Sequence, residues 1–133
     1  MSAASDYLEN KLVDHVTGKA SFTKPTAYVA LCTAAPNDAS TGSTITEADY
    51  TSYARVETSA SDWDAASSGS AANAAAIEFP ECTGGSNTVT HFVLVDASSS
   101  GNVLVHGALS SSLDISDGIT PSFAIGTLTV SCD

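Results

Sequence analysis

The chain carries few positive charges and few charges of any kind. Only 4 of its 133 residues are Lys or Arg, and charged residues make up 14% of the sequence, against the usual quarter. Lys11, Lys19 and Lys24 crowd the N-terminus while Arg55 stands alone. The clustered cationic footprint that a phosphate backbone requires is missing, so nucleic acid is not an expected partner. No apolar run approaches the roughly 20 residues of a membrane span. The opening MSAASDYLENK has neither the basic start nor the continuous apolar core of a secretory signal. A soluble chain made in a cytosol, with no membrane partner, is expected. Cysteine is scarce: Cys32, Cys82 and Cys132 are odd in number and show no CxxC spacing. That pattern argues against a disulfide framework and a zinc site and leaves buried free thiols as the expectation.

What the sequence does have is acid and small side chains. Fifteen acidic residues set the formal charge at −11, and 36 Ser or Thr and 21 Ala residues dominate the composition. A length of 133 residues suits one domain with one ordinary core. We expect residues 1–25 to form a helix and connecting arm, and residues 26–133 a β-sandwich.

One helix is legible, near residues 6–17. Ser5 or Asp6 can cap it, and Glu9 lies at the capping-box offset from Asp6. Leu8, Leu12 and Val16 recur at helical spacing, with Tyr7 and Val13 flanking the stripe. Gly18 then offers a C-terminal stop. So short a helix needs something to dock on, either its own sheet or a partner chain. The polar, Pro-containing connector 21–26 favours the partner, which makes Leu8, Leu12 and Val16 candidate contact residues.

From Thr26 onward the period is two. TAYVALCT (26–33) is apolar on both faces and reads as a central strand. Residues 34–50 read as a long exposed loop, and YARVET (53–58) as a strand with Arg55 and Glu57 facing outward. The Ser/Ala/Asp-rich segment 59–74 holds the lone Trp63, which should anchor it to the core or to an interface. A short strand at 75–79 stops at Pro80. The stretches 89–96 and 103–109 make a hairpin around 97–102. Leu113 and Ile115 alternate with polar neighbours before the Asp117-Gly118 turn, and a parity change predicts a β-bulge at Gly126. The result is an all-β fold, an antiparallel β-sandwich of jelly-roll type with one short N-terminal α-helix.

Catalytic signals are missing: no G-x-S-x-G elbow, P-loop or G-x-G-x-x-G occurs. His91 and His106 fall diagonally on the predicted hairpin, but no further ligand sits at metal spacing. The acids of 38–49 lack calcium-loop spacing, and Asp62 and Asp64 beside Trp63 read as a solvated loop. No enzyme activity, cofactor or metal is expected.

The segment SDYLENKLVDHVTGKASFTKPTAYVALCTAAPND resembles the start of a family of small tailed-bacteriophage virion proteins. In that family a helix of the form SDY-x-E-x-x-L-x-DH-x-x-GK precedes a strand similar to YVALxTAxPxD. SYARVE, AAAIEFP, TVTHFVLVDA, GNVLVHGAL and DGITPSFAIGTLTVSCD follow in the same order, with departures near 38–50 and 60–70. The resemblance implies a small jelly-roll-like sandwich that decorates or cements phage heads by binding the major capsid protein, although members are often called tail-fibre proteins. It implies location in the virion, on the capsid surface, after assembly in the bacterial cytoplasm. A homo-oligomer, most simply a trimer, is expected because small sandwiches leave edge strands to cover. The alternative is a tail or tail-fibre component, a receptor- or glycan-binding module with Tyr50, Tyr53 and Trp63 exposed around a groove.

Overall fold

The computed structural model describes residues 2–132. Its main layer is a five-stranded antiparallel sheet in the order β1-β7-β6-β2-β3. These strands are β1 (Ser2–Ala4), β2 (Tyr28–Cys32), β3 (Val56–Glu57), β6 (Asn87–Val95) and β7 (Val103–Ile115). The second layer consists of two short ladders, β4 (Ser70–Ala72) with β9 (Thr129–Ser131) and β5 (Ile77–Glu78) with β8 (Ser122–Phe123). The all-β antiparallel sandwich with one short helix is therefore what the chain forms. Val29, Leu31, Phe92 and Leu94 from the sheet meet Ile77, Phe79 and Leu128 from the ladder side in the main core.

The helix, α1 (Asp6–Val16), begins at Ser5, whose side chain accepts from the Leu8 N–H at 3.2 Å. Of the two caps the sequence offered, Ser5 is the one used. Gly18 follows at φ +77°, where only a residue without Cβ is relaxed. Ahead of the helix lies an element that three residues of sequence could not announce. Ser2–Ala4, expected in the arm, pairs with Val105–Gly107 as an edge of the sheet. Ser2 and Ser131 then exchange backbone and hydroxyl hydrogen bonds, the shortest at 2.7 Å, which ties β1 to β9 across the sandwich side.

Two irregularities in β7 shape the core. Leu94 pairs with Val105 but Val95 with Val103, so Leu104 is an inserted residue, and both Leu104 and Val105 join the main core. Further along, Thr90 alone faces Leu109–Ser112 between the Val89–Leu113 and His91–Ala108 pairs. The stretch containing Leu113 and Ile115 is thus a continuation of β7. Gly126, where a bulge was expected, lies at φ +78° in a turn closed by the Thr127 N–H on the Ala124 carbonyl. The parity changes there because β8 ends and β9 begins.

That turn is held by Asn73, which is fully buried. Its amide nitrogen donates to the carbonyls of Ala75 and Ala124 at 2.9 and 3.0 Å, and its oxygen accepts from the Leu128 N–H at 2.9 Å. Its backbone N–H donates to Leu128 and its carbonyl accepts from Gly126. One side chain thus substitutes for a ladder between the two short sheets. Asn73→Asp removes the donors and aims a carboxylate at carbonyl oxygens. We expect it to cost more than Asn73→Ala, which leaves the buried partners unpaired at about 1–3 kcal/mol. Urea unfolding of both variants at neutral pH checks the order.

Candidate functional site

A densely hydrogen-bonded polar site is built around Arg55, whose side chain is 4% exposed. Its Nη2 lies 2.6 Å from Glu47 Oε1, and its Nε donates to both Glu47 oxygens at 3.1–3.2 Å. Nη1 donates to the carbonyls of Ala97 and Ser100, and Nη2 also to that of Gly42, each at 2.9 Å. All five guanidinium N–H groups therefore have acceptors. The Tyr53 hydroxyl donates to Glu47 at 2.7 Å and accepts from the Leu31 N–H at 3.1 Å.

This arrangement overturns two expectations. Arg55 turns inward rather than to solvent, because Glu47 and three carbonyls wait for it. The segment 34–50 is a strap rather than an exposed loop: Ala48 and Tyr50 are buried, and Glu47 and Thr41 bridge to Cys32 and Asn102. Gly42 lies so close to the hairpin that a Cβ there would stand 1.8 Å from the Ser100 carbonyl oxygen. Beneath the strap, Ala30, Cys32, Val93, Val95 and Val103 form a second small core on the other sheet face. Burial, and then the Glu47 charge, push the Cys32 thiol up to about 12. Burial and the hydrogen bond to Glu47 push Tyr53 upward as well. Cys82 is also buried, but Cys132, expected inside, is exposed.

The histidines do sit diagonally on one face, His91 opposite Ala108 and His106 opposite Val93. His106 Nε2 lies 2.9 Å from Asp38 Oδ1 and His91 Nδ1 2.8 Å from the Thr90 hydroxyl. No cluster of three potential metal ligands occurs among the described residues.

The candidate contact residues separate. Leu8 packs half-buried against the domain's own core with Tyr7, and Leu12 is half-exposed. Val13 and Val16 are 57% and 77% exposed. The helix therefore uses its first turn for its own sheet and leaves its last turns free. Trp63 lies apart from it, packed on the core with its indole N–H donating to Thr58 at 3.1 Å. It lines a groove with Lys24, Pro25 and Glu57 that includes no helix residue. The tyrosines expected beside it are not exposed. Tyr50 is buried with its hydroxyl on the Pro80 carbonyl, and Tyr53 serves Glu47. A broader groove of about 440 Å³ runs between the β7 bulge and the β8–β9 segment, lined by Ser110–Ser112, Leu109, Leu113 and Phe123.

Two measurements follow from the Arg55 site. Arg55→Met leaves Glu47 partly buried without its cation, and stability should fall by about 3–5 kcal/mol in chemical denaturation. The second concerns alkali. The unfolded Cys32 thiol ionises near 9 while the folded one holds its proton to about 12, so the folded state binds more protons between these values. Stability then falls as pH rises through that window, by at most about 1.4 kcal/mol per unit for one group. Cys32→Ala should show a shallower fall than the parent over pH 9–12, read from thermal midpoints at each pH.

Comparison with known proteins gives one answer. No curated protein matches the chain. A family model described as podophage GP4 fiber I protein gp80 matches residues 3–131. The matched range runs from β1 through β9 and takes in the helix, the strap and both ladders. With nearly every residue accounted for, the chain belongs to this podophage fiber protein family and is a structural protein of the phage virion.

Proposed function

We propose that this chain is a structural subunit of the fibre apparatus of a podophage, acting by assembly rather than by catalysis. The observation that carries the reading is the family match over residues 3–131, whose description names a fibre protein. The build of the molecule suits a subunit that must hold its shape outside the particle. The strap is bound down by a fully satisfied arginine, and the β1–β9 side of the sandwich is tied by side-chain hydrogen bonds. Decoration of the capsid through the major capsid protein is the competing role within the same kind of virion, and the family's description favours the fibre.

Immunogold labelling of intact virions with antibody to the purified chain tests this directly. Gold is expected on the fibres at the tail. Gold spread over the heads would sink the fibre reading and restore capsid decoration.

A further inference from the structure

The broad groove of about 440 Å³ beside the β7 bulge takes no part in the Arg55 site. Its size falls within the range of small-ligand clefts, roughly 300–1,000 Å³. Two kinds of surface line it. Leu109, Leu113 and Phe123 are half-buried and supply an apolar strip, with the buried Phe92 and Leu128 beneath. The Phe123 ring meets Phe79 and Phe92 edge-on, with centroids 6.2 and 6.5 Å away, so this platform is fixed before anything binds. Around the strip stand the hydroxyls of Ser110–Ser112, Ser122, Thr127 and Thr129. Among the described residues only one of these hydroxyls is spent within the chain, that of Thr127, which donates to the Ala124 carbonyl at 2.7 Å.

The bulge adds main-chain groups to the same wall. Leu109–Ser112 face Thr90 alone on one side, and on the other the β1 pairs stop at Gly107. These four residues belong to no regular ladder, so their peptide groups are left for water or for a ligand. No lining residue carries a charge. The acids that adjoin the groove in the ladders, Glu78 opposite Ser122 and Asp114 opposite Thr88, are not part of its lining.

These features exclude most classes of occupant. A polyanion would meet a chain of charge −11 with no cation in the lining, and a cation would find no carboxylate there. An added β-strand needs a regular edge, which the bulge destroys. An acyl chain would cover the apolar strip but leave the hydroxyls and peptide groups it buried unpaired. We propose that the groove binds an uncharged saccharide. A pyranose ring offers one face of C–H groups to Phe123 and the two leucines. Its rim of hydroxyls can donate to and accept from the Ser and Thr side chains and the free peptide groups. Binding here goes beyond the fibre reading and does not depend on where in the virion the chain resides.

Titration of the isotope-labelled full chain, followed by amide NMR, tests this. The probes are neutral di- and trisaccharides of glucose, galactose, mannose and N-acetylglucosamine, taken into the millimolar range where single-site sugar binding becomes measurable. At least one should give saturable shifts gathered at Leu109–Leu113 and Ser122–Phe123. Leu109→Ser removes part of the apolar strip, and Ser122→Leu removes an exposed hydroxyl that holds nothing within the chain. Each should weaken binding by about fivefold or more, with circular dichroism verifying the fold; the exposed position of Ser122 keeps that variant informative if Leu109→Ser unfolds. No saturable shift with any of these sugars, shifts gathered at Lys24 and Trp63 instead, or an affinity unchanged in Ser122→Leu would each overturn the proposal. None of these outcomes bears on where gold falls on the virion, so the two readings fail separately.

Discussion

A guanidinium that is almost wholly withdrawn from water must find five acceptors and a counter-charge, and this one requirement organises a large part of the molecule. Arg55 draws Glu47 and the Gly42 carbonyl from the strap and the Ala97 and Ser100 carbonyls from the β6–β7 hairpin. Three segments distant in sequence are thereby fixed to one point. The cost of burying the charge is offset only if every partner is in place, so a partly assembled site is worse than none. Gly42 follows from the same constraint, since the strap must come close enough to the hairpin to present its carbonyl. The second small core follows too: the strap covers a sheet face that is apolar enough to need cover.

The other organising element is β7. Its thirteen residues pair with β1 on one side and β6 on the other, and its two bulges decide which side chains enter the main core. The extra residue at Leu104 turns two consecutive apolar side chains inward. The wider bulge at Leu109–Ser112 separates the strand into a hairpin half and a far half, and the broad groove opens beside it. The Asn73 network performs for the short ladders what regular pairing performs for the main sheet. Polar side chains thus hold the joints where strands are too short to hold themselves.

Much of this architecture was legible in the residues, and the illegible part has a common cause. Alternation in 26–33 and in 89–109, the Ser5 cap and Gly18 are local signals, and the structure uses them as expected. The partners of Arg55 lie 8 to 45 positions away, and no local pattern distinguishes an arginine with five distant acceptors from one in solvent. The same holds for Asn73, whose hydrogen-bond partners beyond residue 120 meet it only after the sandwich closes. A polar loop such as 34–50 looks exposed because its buried residues, Ala48 and Tyr50, carry no periodicity. One clue was available: a solitary arginine between possible strands, in a chain with so few cations, is more economically explained by an internal role than by a lone surface charge. The helix was legible as a helix, but local spacing does not separate its first turn, which packs on the core, from its last turns, which face outward.

That division within the helix is what connects the internal electrostatics to the outer surface. Were Arg55 on the surface, the acidic body would carry its own cation and the contrast with the arm would be weaker. Its capture by Glu47 removes one charge of each sign from the exterior and leaves Lys11, Lys19 and Lys24 as the remaining lysine and arginine charges. Tyr7 and Leu8 hold the root of the helix to the core, so the lysine-bearing segment beyond it is presented at a fixed end of the molecule.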